Sequence, residues 1–72
     1  MRVVKVDRGF VVARGVRKVK YFSFWVDHYR VSWTSYRPTA HHFATESEAE
    51  TAINNVIERE KVRRRERAME NL

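Results

Sequence analysis

The sequence predicts an α+β domain in which an antiparallel sheet of four to five strands, built from two hairpins, packs on one C-terminal helix that projects past the domain. Three observations lead there. Residues 19–36 hold seven of the nine aromatic residues, in two runs rich in aromatic and β-branched types. Residues 2–14 form a shorter pair of such runs around Asp7-Arg8-Gly9. From Ala49 onward, apolar residues recur at helical spacing.

In chain order, residues 2–6 and 10–14 flank Asp7-Arg8-Gly9, read as a three-residue hairpin loop with glycine at the position that needs positive φ. In that register Val6 pairs with Phe10 and Val4 with Val12, and Val3, Lys5, Val11 and Ala13 point the other way. The link to the next strand, Arg14-Gly15-Val16-Arg17-Lys18 and then Lys20, gathers four cationic side chains at one corner of the sheet.

Residues 19–26 and 29–36 flank Asp27-His28, read as a two-residue turn because both types tolerate positive φ better than most. That register sets Val26 opposite Tyr29, Phe24 opposite Val31 and Phe22 opposite Trp33, all apolar. Its other face pairs Trp25 with Arg30, Ser23 with Ser32, Tyr21 with Thr34 and Val19 with Tyr36, a mixed polar, aromatic and cationic surface. One face reads as core and the other as contact surface.

Pro38, after Arg37, ends the strand, and residues 40–43 read as a short fifth strand. His41 and His42 are adjacent, so in extended chain they point to opposite faces and do not jointly ligate a metal. Thr45-Glu46-Ser47-Glu48 has the spacing of a capping box and should open the helix. Ala49, Ala52, Ile53, Val56 and Ile57 then form an apolar stripe expected to cover Phe22, Phe24, Val31 and Trp33. The stripe stops at Ile57, which divides the chain into a single domain over residues 1–57 and a mixed-charge helical extension over 58–72. A weaker stripe of Val62, Met69 and Leu72 lies nearly opposite on that extension.

The chain of 72 residues carries a formal net charge of +6 and no cysteine. Its size leaves room for one small core and no second domain. Without cysteine there is no disulfide framework and no thiolate zinc site, and a cytoplasmic location is expected. Early charges argue against a signal peptide, and no apolar run is long enough to span a bilayer, so no membrane partner is expected. Residues 1–43 hold nine Lys or Arg against two Asp, a net +7, while residues 44–72 hold six against seven Glu, a net −1. The positive excess therefore belongs to the sheet, despite the Arg63-Arg64-Arg65 run.

No glycine-rich phosphate loop, His-Glu-x-x-His or nucleophile in a recognisable setting is present. Asp27, His28 and Tyr29 are ordinary turn residues, so neither enzymatic activity nor a cofactor is expected. A basic sheet bearing aromatics points to nucleic acid, chiefly DNA, as partner. Arg14, Arg17, Lys18, Lys20 and Arg37 are the candidates for phosphate contacts, with Arg30, Ser32 and Thr34 for base edges. Trp25, Tyr21 and Tyr36 complete the surface. Stacking by Trp25 and Tyr21 would serve a single strand and an open sheet face would serve a duplex, and both remain open. A protein partner on the same aromatic face, as for an inhibitor or adaptor, is the alternative, together with a homodimeric structural or assembly protein closed by that face or joined through Val62, Met69 and Leu72 of the extension.

The order of strands, then Phe43-Ala44-Thr45-Glu46-Ser47-Glu48-Ala49, then a helix resembles the arm-type DNA-binding domains of phage and transposon tyrosine recombinases. The resemblance spans roughly residues 19–57. It implies a sheet laid in the DNA major groove through Tyr21, Ser23, Trp25, Arg30, Ser32, Thr34 and Tyr36. The chain departs from that pattern in its extra hairpin over residues 2–14 and in having no catalytic domain, so it is expected to be a small phage-type accessory protein and not a recombinase.

Overall fold

The computed structural model describes residues 1–27 and 30–70, with side chains described to residue 65. Four strands, β1 (Arg2–Val6), β2 (Gly9–Arg14), β3 (Lys20–Trp25) and β4 (Val31–Thr34), form one antiparallel sheet in sequential order. A 3-10 turn over Arg37–Thr39 and a single helix, α1 (Glu46–Glu70), complete the α+β fold.

The first hairpin is one residue tighter than the sequence predicts. Val6 pairs with Gly9, Val4 with Val11 and Val3 with Val12, so only Asp7 and Arg8 lie between the strands. The expected apolar face of Val4, Val6, Phe10 and Val12 is thereby divided: Val3, Phe10 and Val12 pack in the core against the helix, and Val4 falls on the other side with Val11. A distant backbone contact accounts for the shift. Phe10 N–H donates to the Phe43 carbonyl at 2.9 Å, the Phe10 carbonyl accepts from Phe43 N–H at 2.7 Å, and a Cβ at Gly9 would collide with the Phe43 carbonyl oxygen. Gly9 also has φ of +126°, a conformation other residues rarely adopt. Glycine is thus required at a strand end beside a passing chain, and hairpin grammar alone does not reveal that neighbour.

The second hairpin keeps the expected register at its base and loses it at its tip. Tyr21 pairs with Thr34 and Phe22 with Trp33, as predicted, although the pairing ends there and does not reach Val19 and Tyr36. Beyond a bulge at Ser23, Phe24 pairs with Ser32 and Trp25 with Val31. At the tip Val26 N–H donates to the Arg30 carbonyl at 2.9 Å, so the loop holds one residue more than a two-residue turn. The Asp27 carboxylate secures it by accepting from Arg30 N–H at 2.9 Å. His28 and Tyr29, and with them the expected Val26–Tyr29 pair, lie outside the described residues. The longer loop shifts pairing by one at the tip, and the extra residue at Ser23 restores it below. As a result Phe24 leaves the core and is 58% exposed, while Trp25 leaves the expected contact face and meets the core ring of Phe22 edge-on, itself remaining exposed.

β2 and β3 pair only at Ala13–Tyr21 and Arg14–Lys20 and then diverge. Residues 41–43 enter the gap: His41 N–H donates to the Phe22 carbonyl at 2.9 Å on one side, and Phe43 bridges Phe10 on the other. The expected fifth strand is therefore a wedge between the hairpins, reduced to one antiparallel bridge. Before it, the 3-10 turn lies by the sheet face away from the helix, where the Thr39 and Thr34 hydroxyls are 2.9 Å apart and Pro38 and His42 share a cleft with Val6. Val11 and Ala13 are buried outside the main core cluster.

The helix opens as its capping box predicts. Thr45 Oγ1 accepts from Glu48 N–H at 3.1 Å, and the Glu48 carboxylate reaches back to Ala44 N–H at 3.2 Å. Ala49, Ala52 and Val56 are buried and Ile53 packs beside them, whereas Ile57 is 39% exposed, outside the expected stripe. α1 lies chiefly across β1 and β2. It covers Phe22, Val31 and Trp33 only from the side, and this offset leaves a groove beside β3 and β4.

Gly9→Ala should lower stability by more than about 1 kcal/mol, since positive φ and the Phe43 carbonyl both oppose a side chain there. Urea unfolding followed by tryptophan emission measures it; an unchanged midpoint would show that residue 9 is free of both constraints.

Candidate functional site

The contact surface expected from the sequence does not stay together. Tyr21, Ser32 and Thr34 remain half-buried on the face away from the helix. There the Thr34 hydroxyl is occupied, being 2.9 Å from that of Thr39 and accepting from Tyr36 N–H at 3.1 Å. Tyr36 and Arg37 are exposed at the start of the 3-10 turn, and Arg17, Lys18 and Lys20 are exposed around the β2–β3 link. Arg14 lies on the helix side, where its Nη1 is 3.2 Å from Glu60 Oε1 and its guanidinium stands 4.9 Å from the centre of the Trp33 ring. Arg30 is exposed but held by the turn, its Nε 2.8 Å from Asp27 Oδ2. Trp25, 37% exposed, has crossed to the helix side.

Four adjoining concavities run along the helix on that side. The first, about 340 Å³, lies between the end of β3, the wedge and the first turns of α1, where Phe22, Phe24, Trp25 and Phe43 meet Asn55. Trp25 and Asn55 also line the second, about 440 Å³, which adds Asp27 and Arg59. Trp25 and Arg59 continue into the third, about 190 Å³, with Arg30 and Arg63. Glu60 and Arg63 carry the groove into the fourth, about 300 Å³, with Arg14 and Arg64. Shared lining residues place the four end to end along one groove. From Glu48 to Arg64 it follows the helix for about 24 Å at the usual rise per residue.

Its two ends differ in chemistry. Among the described residues, no lysine or arginine lines the aromatic end, and Glu48 is its one charged lining residue. The remainder is lined by Arg14, Arg30, Arg59, Arg63 and Arg64 against Asp27 and Glu60. Each of those carboxylates pairs with an arginine that the sequence reading had singled out, Asp27 with Arg30 and Glu60 with Arg14. Among the described residues, Arg59, Arg63 and Arg64 have no carboxylate partner. Among the described residues, the groove arginines without an ion-pair partner therefore sit on the helix.

Arg59, Arg63, Arg64, Asn55 and Phe43 escaped the sequence reading as site residues. A signal for some of them was present: Asn55, Arg59 and Arg63 are spaced i, i+4, i+8, one row beside the buried Ala52 and Val56, so they had to border the core. His41 and His42 diverge as expected. The His41 ring packs 4.5 Å from that of Phe43, and His42 Nδ1 donates to the Ala40 carbonyl at 2.8 Å. Among the described residues no three His, Cys, Asp or Glu side chains converge as a metal site, and no helix is long and apolar enough to cross a membrane.

With Trp33→Phe leaving Trp25 as the sole tryptophan, the ratio of iodide to caesium quenching at low ionic strength should exceed that of free tryptophan, and added salt should bring the two ratios together. A ratio equal to or below that of free tryptophan would show that the field beside Trp25 is not positive. Comparison with known proteins finds no matching family model, no matching curated protein and no matching solved structure.

Proposed function

We propose that the protein binds nucleic acid along the groove between α1 and the β3–β4 hairpin. The observation that carries this reading is the placement of Arg59, Arg63 and Arg64, without carboxylate partners among the described residues, in line with the exposed ring of Trp25. A track of guanidinium groups suits a phosphate backbone, and an adjacent aromatic ring suits a base. The overall charge of +6 supports the same partner. The resemblance of the helix opening to recombinase arm-type domains favours DNA. The contact moves from the sheet face to the groove, because the 3-10 turn engages Thr34 while Trp25 and Arg30 line the helix side. Arg17, Lys18 and Lys20 would act as outlying phosphate contacts.

Exposed Phe24, Val26 and Tyr36 around the second hairpin favour a protein partner as the second reading. Salt dependence separates the two. With about four arginines on phosphates, the log–log slope of affinity against salt should be about −3 for a single strand and nearer −4 for a duplex. Anisotropy of labelled oligonucleotides measures it. Arg59→Ala with Arg63→Ala should reduce both the affinity and the slope, and Arg17→Ala should change them less. Absence of binding at low salt, or a double variant that binds like the parent, would reject the groove.

A further inference from the structure

We propose that the aromatic end of the groove is a pocket for one unstacked nucleobase, so that the preferred ligand is a single strand held by a base at one end and by its phosphates at the other. The inference rests on the nucleic-acid reading and adds the form of the ligand and its direction along the groove.

The pocket is built around rings. Phe22 forms its inner wall, with Trp25 at 5.9 Å, Phe43 at 5.9 Å and His41 at 6.3 Å between ring centres. Phe24 and Trp25, 58% and 37% exposed, stand at the rim, where a flat heterocycle can stack as it enters. Its volume of about 340 Å³ and its open mouth suit one planar group. The opposite wall belongs to α1. There Asn55 is exposed, and its amide makes no hydrogen bond among the described residues, leaving both donor and acceptor available to a base edge.

Charge decides which part of a nucleotide belongs here. Glu48 lines this end, and its carboxylate has a single hydrogen-bond donor among the described residues, Ala44 N–H at 3.2 Å. A phosphate would be repelled by Glu48. A base carries no net charge, and an exocyclic amino group can donate to that carboxylate. One helical turn beyond Asn55, about 6 Å along the axis, Arg59 begins the cationic track. The order of groups along the groove, rings and amide followed by guanidinium, thus matches base followed by backbone.

A base paired and stacked in a duplex must be extruded to reach such a pocket, at a cost of a few kcal/mol, whereas a single strand offers it without unpairing. Each stacked base lost by alanine substitution typically weakens binding by about 5- to 150-fold. The test uses the whole chain and three fluorescent probes: a mixed-sequence single strand of about 12 nucleotides, the same strand in duplex, and an abasic strand with the same number of phosphates. The intact single strand should bind at least about 10-fold tighter than either alternative, with quenching of Trp25 emission in the Trp33→Phe background. Trp25→Ala should remove most of the difference between the intact and abasic strands. Equal affinity for intact and abasic strands, or for single strand and duplex, would overturn the base pocket. If those equal affinities still fall with Arg59→Ala and Arg63→Ala, the groove stands and the pocket alone fails. If no probe binds at low salt, both fail.

Discussion

Phe22 is the aromatic side chain most withdrawn from water among the described residues, 4% exposed, and each of its contacts ties in a different part of the chain. Trp33 meets it edge-on from β4, Trp25 from the far side of the Ser23 bulge, and Phe43 and His41 from the wedge, all with ring centres 5.9 to 6.3 Å away. Ala49, Ala52 and Val56 of the helix belong to the same buried cluster. Burying such a ring contributes roughly 1.5–3 kcal/mol, and each well-placed aromatic pair adds about 0.5–1.5 kcal/mol. In a chain of 72 residues, with one small core, much of the available cohesion passes through this position.

The features legible in the sequence are those set by nearby residues. The Thr45–Glu48 cap, the Ala49–Ala52–Val56 stripe, the pairing of Phe22 with Trp33 and the two-hairpin sheet follow from spacing and propensity, and the structure has them all. The first misplaced register depends on Phe43, far along the chain, which Gly9 must let pass. The second depends on the turn that the Asp27 carboxylate closes, which exchanges the sides of Phe24 and Trp25 through the compensating bulge. Neither leaves a mark in the alternation of apolar and polar residues.

The positive excess of the sequence lies in the sheet, whereas that of the groove comes largely from the helix. Glu60 and Asp27 balance Arg14 and Arg30, the two sheet-side arginines that line it, and the helix then supplies Arg59, Arg63 and Arg64. Partial charge cancellation of this kind is geometric and does not appear in a segment total. Both ion pairs are solvent-accessible, so each is weak and screened by salt. Those carboxylates therefore offer little resistance if an anion enters the groove and competes for the same arginines.

The wedge over residues 41–43 closes the gap between the hairpins and also delivers His41 and Phe43 to the aromatic pocket. Each hairpin is assembled from contacts between near neighbours in the chain, whereas the bridge from Phe10 to Phe43 joins distant segments and requires closure of a long loop. Docking of the wedge therefore fills the gap in the sheet and supplies the last walls of the pocket together. A chain with both hairpins formed but the wedge undocked lacks two walls of the pocket, so the pocket is a property of the finished fold and of none of its parts.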